Sequence, residues 1–307
     1  MKLKKFTLLL VYLNIISAYA ADGIQIVKKA KEYFIEISDK PHTAYFIEES
    51  NDLIHWNKIG DRAKGKSSIK IESYDLYDKS FYRLNTWNIE DEEIYIAIIG
   101  DSTAASEEIN SFKFCGWGEA FPDFFESRAT VLNFAVPGHS TKWYLGGVNG
   151  QSEKSYHFKR LKLIKPQFVL MQFGIIDETS GVPEKITTID EYKINYKVLI
   201  EGIRNFGGTP IILSPVNRAV FDENQNHYPW LSERSAAAKE IADALNVHFI
   251  DMNTITGNYY KTLGPDGLSD IIAEGDEVHY SPEGAVKICE LIIDELPNYL
   301  KYYLIKE

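Results

Sequence analysis

The spacing of apolar and polar positions changes near residue 90. Between residues 24 and 87 the chain runs in short alternating segments, "YFIEIS", "TAYFIEES", "SSIKIES" and "SFYRLNT", separated by Asp, Asn, Gly and Lys clusters. A period of two over such lengths predicts half-buried strands, and no helical period is sustained across the region. The reading is a small antiparallel, β-sandwich-like accessory domain over residues 21–90, with Trp56 and Tyr82 in its core. "NIEDEE", residues 88–93, is polar and charged enough to serve as the linker. From Ile94 onward the apolar runs become nearly continuous: "IYIAIIG", "ATVLNFAV", "PQFVLMQFG", "TPIILSPV" and "VHFIDM". Helical patterns lie between several of them. Over residues 190–206, Tyr192, Tyr196, Leu199, Ile200 and Ile203 fall on one helical face, and Gly207-Gly208 follows as a C-cap. Residues 231–245 and 281–304 predict two further helices. Continuous apolar strands joined by helices imply an α/β domain over residues 91–307, with a parallel sheet covered on both faces.

The first twenty residues have a different character. Lys2, Lys4 and Lys5 precede an apolar core, and Ala18-Tyr19-Ala20 places small residues where a signal peptidase cuts. The segment reads as a signal peptide cleaved near Ala20, with a structural first helix as the alternative, and the mature protein is expected to be secreted or periplasmic. No cysteine follows the cleavage point to carry a lipid, and no later run reaches the roughly 18 apolar residues of a membrane helix. Loss of the three leader lysines takes the net charge from −11 to −14. Such a balance opposes nucleic acid as a partner, because phosphate backbones need clustered Lys and Arg. It also weighs, less strongly, against long anionic polymers. Cys115 and Cys289 are the only cysteines, too few for a disulfide scaffold. A bridge between them and two unpaired thiols are both open. The oligomeric state is open as well.

In parallel sheets ligands bind beyond the carboxyl ends of the strands, so the residues following each apolar run carry the candidate chemistry. Gly100-Asp101-Ser102 follow the first run, "VPGHST" with Gly138 the second, "FGIIDE" the third, and "SPVNRAVF" with Asn217 and Arg218 the fourth. Near the end, "EGDEVHYSPEGA" sets Asp276 three residues before His279. A serine hydroxyl needs a base to accept its proton, and an imidazole oriented by a carboxylate is such a base. Alone, Ser102 reads more readily as a helix N-cap than as a nucleophile, and Asp-x-x-His is a common loop pattern. Trp117, Trp143, Tyr144, Tyr228 and Trp230 lie in loop-like segments, where an aromatic ring either stacks on a sugar or packs in the core. His157 and His227 have no partner at metal-ligand spacing. No G-x-G-x-x-G occurs in a strand-to-helix context, so no nucleotide cofactor is expected, and the lack of a G-x-S-x-G elbow counts against the α/β-hydrolase fold.

"GDST", the Gly of "PGHST" and "DEVHYSPEGA" together resemble the SGNH hydrolases, also called GDSL esterases. "GWGEAF", "VLNFAVPGHST", "PQFVLMQFG", "SPVNRAVF" and "HYSPEGA" resemble their rhamnogalacturonan acetylesterase branch, and the likeness spans residues 94–305. The resemblance implies a three-layer α/β/α flavodoxin-like fold. It implies Ser102 as nucleophile, His279 as base and Asp276 as its orienting acid, with the N–H groups of Ser102 and Gly138 in the oxyanion hole. It implies a secreted esterase that removes acetyl groups from a pectin-like polysaccharide. Asp101, Thr103, His139, Asp177, Asn217 and Arg218 are candidate substrate-binding residues, and Lys142 or Arg218 could supply local positive charge. "YFIEESNDLIHWNKIG" with "FYRL" resembles the small β modules beside secreted carbohydrate-active enzymes, implying a binding, spacer or docking role. One block departs from the pattern. The family's Gly-x-Asn-Asp is here Gly174-Ile175-Ile176-Asp177, so Ile176 stands where a side-chain donor to the oxyanion belongs. Losing one such donor costs about a hundred- to a thousandfold in rate. Three readings are open: two backbone donors aided by His139 or Asn217, a slow esterase, or a carbohydrate-binding protein with a relic triad. A lipid or aryl esterase of the same fold is a further alternative.

Overall fold

The computed structural model describes residues 5–9, 24–29, 32–38, 42–50, 54–55, 57–64, 67–71, 81–106, 115–146 and 156–305. The chain divides into two compact units: Met1–Glu92 with Pro297–Tyr302, and Glu93–Leu296 with Tyr303–Glu307. The C-terminal stretch Pro297–Tyr302 therefore belongs to the first unit, although the sequence pattern assigns it to the second.

Among the described residues, seven strands build the first unit: β1 (Lys5–Leu9), β2 (Ile24–Lys29), β3 (Glu32–Ile37), β4 (Thr43–Ser50), β5 (Asn57–Lys64), β6 (Ser67–Ile71) and β7 (Phe81–Asn88). They form two antiparallel sheets, ordered β1-β7-β4-β5 and β2-β3-β6. Alternation buries Ile35 and Ile37 on β3, and Tyr82 and Leu84 on β7. On β4 the neighbours Ala44 and Tyr45 are both buried, where a register shift between Tyr45 and Ile47 breaks the alternation. Trp56 lies outside the described residues. Lys5–Leu9, inside the expected leader, lines up beside β7. Ile89, in the expected linker, is fully buried and donates its N–H to the His42 carbonyl.

The second unit is built on β8 (Ile94–Gly100), β9 (Ala129–Asn133), β10 (Phe168–Gln172), β11 (Thr209–Leu213) and β12 (His248–Ile250). All pair in parallel, in the order β12-β11-β10-β8-β9. Counted within the unit this is 2-1-3-4-5, the flavodoxin-like order, whose switch point lies between β8 and β10. The helices are α1 (Thr141–Tyr144), α2 (Tyr156–Ile164), α3 (Ile175–Glu178), α4 (Ile189–Asn205), α5 (Ser232–Ala244), α6 (Met252–Gly267), α7 (Pro282–Glu295) and, in the first unit, α8 (Asn298–Lys301). Strand period two separates the faces. Ala97, Ile99, Val169, Met171 and Ile212 join the core under α2, α4 and α5, while Ile96, Ile98, Leu170 and Ile211 point the other way and are equally buried. The domain is thus a three-layer α/β/α fold.

Local chemistry sets the helix limits. α4 opens with a reciprocal capping box: Glu191 N–H donates to Thr188 Oγ1 at 3.2 Å, and Thr188 N–H to Glu191 Oε2 at 2.8 Å. It closes in a Schellman motif, with Gly207 at φ +88° and Gly208 N–H bonded to the Ile203 carbonyl at 3.0 Å. Between these ends Tyr192, Tyr196, Leu199, Ile200 and Ile203 are fully buried, as their spacing predicts, and each aliphatic contributes about 1.5–3 kcal/mol. The helix predicted over 281–304 stops at Glu295, because Pro297 cannot donate and forces Leu296 into an extended conformation (ψ 149°). The sequence pattern gave no sign of α6, whose Thr, Asn and Gly residues are weak helix formers and whose Gly264 is non-helical at φ +66°.

Candidate active site

β8 ends where its backbone passes closest to β10: a Cβ on Gly100 would lie 2.4 Å from the Gln172 carbonyl oxygen. The chain then turns sharply. Asp101 Oδ1 accepts from Thr103 N–H at 3.0 Å and from Thr103 Oγ1–H at 2.8 Å, fixing the turn that carries Ser102. Gln172 Nε2 donates to Thr103 Oγ1 at 2.7 Å, and Trp117 Nε1–H donates to Gln172 Oε1. The turn is therefore braced from the neighbouring strand.

The Ser102 hydroxyl lies 2.7 Å from His279 Nε2, and His279 Nδ1 lies 2.9 Å from Asp276 Oδ2. With the hydroxyl donating to Nε2, the ring proton sits on Nδ1 and donates to the carboxylate. Asp276 Oδ1 accepts from three successive N–H groups, those of Glu277 (2.7 Å), Val278 (2.8 Å) and His279 (2.9 Å). Burial pushes the Asp276 carboxyl up, but these donors and the imidazole outweigh it and hold it below the usual range. The loop is anchored on both sides: Cys115 and Tyr280 exchange backbone bonds at 3.1 and 3.0 Å, and Ser281 caps α7 through Gly284 N–H at 3.0 Å. A hydroxyl, an imidazole and a carboxylate in this sequence, partly open to solvent, can deliver a nucleophile and recycle its proton.

Val136-Pro137-Gly138-His139 form a turn, with Gly138 at φ +70° and His139 N–H bonded to the Val136 carbonyl at 3.2 Å. Positive φ at the third position with Pro at the second marks type II. Among the described residues, neither Ser102 N–H nor Gly138 N–H is used in a hydrogen bond. Ile176 lies in the first turn of α3, half-buried and without a donor on its side chain.

Four sequence candidates for substrate contact are buried and bonded within the scaffold. Asp101 is buried and holds the turn; burial raises its pKa against the Thr103 bonds and the nearby imidazole, and Oδ2 has no hydrogen-bond partner among the described residues. Thr103 is spent on Asp101 and Gln172. Asp177 accepts from Thr141 N–H (3.0 Å), Thr141 Oγ1–H (2.5 Å) and Thr187 Oγ1–H (2.9 Å), tying α1 to α3, and burial pushes its pKa up to about 6. Asn217 is buried, its Oδ1 accepting from Arg218 and Trp230 N–H at 3.0 and 2.9 Å and its Nδ2 facing the Asn253 carbonyl at 3.4 Å, so the amide is engaged at both ends. Arg218 and His139 are partly exposed. Arg218 pairs with Glu277 and stacks on Trp230, 5.1 Å from the ring centroid. His139 Nδ1 faces the Pro137 carbonyl at 3.3 Å, and burial lowers its pKa. Of the aromatic candidates, Trp117 and Tyr144 are core, Trp230 is half-buried, and Trp143 and Tyr228 are exposed.

Two contributors carry no sequence signal. Lys185 Nζ donates to the Gly138 carbonyl at 2.8 Å, from a loop, "SGVPEKITT", without any pattern. Arg234, on alanine-rich α5, is buried and binds Glu178, Thr187, Thr188 and the Asp177 carbonyl. Cys115 and Cys289 are both buried, with no disulfide between them. Among the described residues no group of three His, Cys, Asp or Glu could hold a metal ion, and no helix is long and apolar enough to cross a membrane.

Comparison with known proteins agrees with this geometry. The model of the GDSL-like Lipase/Acylhydrolase family matches residues 98–286. The chain is 25% identical over 228 residues to the rhamnogalacturonan acetylesterase RhgT of Bacillus subtilis (strain 168), covering 69% of this chain and 94% of that protein. It is 27% identical over 224 residues to the probable rhamnogalacturonan acetylesterase YesY of the same organism, covering 69% and 98%. In fold it is similar to the crystal structure of Bacillus subtilis YxiM, with a TM-score of 0.57 at 17% identity over 91% of this chain and 86% of that one.

Proposed function

Because the chain belongs to the GDSL-like lipase/acylhydrolase family and is a carboxylic ester hydrolase, we propose that it is a secreted serine esterase removing acetyl groups from a cell-wall polysaccharide of the rhamnogalacturonan kind, or from its oligosaccharides. The observation that carries the mechanism is the unbroken run from Ser102 Oγ to His279 to Asp276, at 2.7 and 2.9 Å. Ser102 Oγ attacks the acetyl carbonyl carbon while its proton passes to His279 Nε2. Asp276 stabilises the imidazolium without taking the proton. The carbonyl oxygen, now negative, is met by the Ser102 and Gly138 N–H groups. As the tetrahedral intermediate collapses, His279 returns the proton to the departing sugar hydroxyl, leaving acetyl-Ser102. A water molecule then gives its proton to His279 and attacks the acyl carbon, releasing acetate and restoring the serine.

The acetyl and carbohydrate parts of this reading are supported by the names of the two Bacillus relatives and by the exposed ring of Trp143, a surface on which a sugar can stack. A net charge of −14 after loss of the leader opposes the approach of an intact polyanionic backbone, and Arg218 is neutralised by Glu277, so short acetylated oligosaccharides are the favoured form of substrate. The donorless side chain of Ile176 favours a second reading, a carbohydrate-binding protein with a relic triad. Acetate release from a small aryl acetate separates the two. Esterase activity abolished by Ser102→Ala is expected; glycan binding without acetate release, unchanged by Ser102→Ala, would establish the second reading.

A further inference from the structure

Gly138 donates through the central peptide of its turn, and that peptide has two settings. Rotating it by half a turn converts type II to type I, both of which accept Pro at the second position. The rotation would carry the Gly138 N–H to the opposite side, away from any anion bound beside Ser102. With no side-chain donor at position 176, the site cannot afford the loss of this N–H.

Two side chains bond successive carbonyls of the turn, one on the rotating peptide and one on the peptide that follows it and serves as its pivot. His139 Nδ1 lies 3.3 Å from the Pro137 oxygen, the carbonyl of the rotating peptide itself. Lys185 Nζ donates to the Gly138 oxygen at 2.8 Å, a charge-assisted bond, roughly twice as strong as a neutral one. The ammonium is held in place from a third direction, 4.6 Å from the Trp143 ring centroid. It lies 3.5 Å from where a Cβ on Gly138 would sit, so the open face of the glycine and the cation are in contact. Lys185 arrives from the loop after α3, the element that carries Ile176.

We propose that Lys185 is a positioning residue for the ester hydrolysis: it fixes the Gly138 turn in its oxyanion-binding form and sets a full positive charge on that side of the site, making good the missing donor at position 176. The proposal rests on the esterase reading above. Its consequence is an energetic coupling between Lys185 and position 176, which a lysine that merely staples a loop would not show.

The test is a double-mutant cycle on the full chain, reading kcat, KM and thermal midpoint with an aryl acetate for the parent, Lys185→Met, Lys185→Arg, Ile176→Asn and the Lys185→Met/Ile176→Asn pair. Lys185→Met should lower kcat about ten- to hundredfold, the scale set by a misaligned reacting group, with KM and midpoint nearly unchanged. Lys185→Arg should recover most of the loss. In the Ile176→Asn background the loss from Lys185→Met should shrink severalfold. The inference is overturned if Lys185→Met stays within about twofold of the parent, if Lys185→Arg is as impaired as Lys185→Met, or if the loss is the same in both backgrounds. Ser102→Ala in the same assay keeps the two claims apart. Turnover that is absent in the parent or survives Ser102→Ala sinks the esterase reading and this inference with it, whereas Ser102-dependent turnover indifferent to Lys185 sinks the inference alone.

Discussion

Replacing Asp276 by asparagine changes one atom's chemistry, and the structure dictates how the amide must sit. Three backbone N–H groups converge on Oδ1 at 2.7–2.9 Å and demand an acceptor there. The amide oxygen therefore takes the Oδ1 position, and the NH2 group faces His279 Nδ1, 2.9 Å from Oδ2 in the parent. A donor at that place turns Nδ1 into an acceptor and moves the ring proton to Nε2, where it blocks the Ser102 hydroxyl. Flipping the amide would restore the productive tautomer but forfeit three hydrogen bonds, about 1 kcal/mol each. A bias of about 3 kcal/mol leaves on the order of 1% of molecules competent, a hundredfold loss before electrostatics are counted. The variant also lacks the charge that stabilises the imidazolium. The sum should approach the ~10⁴ seen for such a change in other serine hydrolases, about 5.5 kcal/mol. Single-turnover acetate release should fall by about 10³–10⁴ in Asp276→Asn, with the thermal midpoint nearly unchanged because the loop keeps its acceptor. A variant within tenfold of the parent would refute the claim that the three N–H groups lock the amide.

Two further predictions concern the scaffold beneath the site. Arg234→Met removes a buried guanidinium that makes five hydrogen bonds, two of them to Thr187 and Asp177 carbonyls from Nη2, and should cost about 3–5 kcal/mol in urea unfolding; a cost under about 1 kcal/mol would show that the network is dispensable. Asp177 gives a pH dependence of unusual sign. Its folded pKa of about 6 lies above the ordinary 3.8, so the folded state binds the proton more tightly, and the group's contribution is present at low pH and lost as pH rises toward 6. The stability of the parent relative to Asp177→Asn should therefore fall by about 2 kcal/mol between pH 4.5 and 7, and a flat difference across that range would show the carboxyl to be ionised throughout.

The sheet of the catalytic domain was legible because its strands are buried on both faces, so each appears as an apolar run that stands out from its surroundings. β8, β10 and β11 match their runs closely, while β9 stops at Asn133, three residues before its apolar run ends at Val136. Asn133 Oδ1 takes the Ala135 N–H there, at 3.0 Å, while the Phe134 and Val136 N–H groups still bond the Ile98 and Gly100 carbonyls of β8 at 2.8 and 2.9 Å. α4 was legible because an amphipathic stripe, a capping box and a Gly-Gly end coincide. Two failures have opposite causes: at Pro297 a local breaker ends the helix although the apolar pattern runs on, whereas α6 forms from residues with weak helix propensity. Leu300 carries the apolar signal of a continuing helix, yet it is buried in the other unit.

At the site, the Ser102, Asp276 and His279 pattern was readable because each of these residues must follow a strand or a loop in a fixed chemical context. The candidates for substrate contact have no such context. Asp101, Thr103, Asp177 and Asn217 are polar residues just beyond strand ends, where sequence cannot distinguish a side chain that meets solvent from one that braces a turn. Asp101 and Asn217 satisfy backbone N–H groups where the chain turns, Thr103 completes the Asp101 turn, and Asp177 ties α1 to α3. Ile176 shows the limit of motif reading more sharply. An absent donor is visible in a sequence, but a compensating cation is not, since Lys185 comes from a loop with no periodicity and bonds to a backbone carbonyl rather than to a side chain. Deciding whether a missing motif residue disables a site therefore requires knowing where every nearby charge lies, and here the Lys185 ammonium lies 2.8 Å from the carbonyl of the glycine whose N–H has to carry the load.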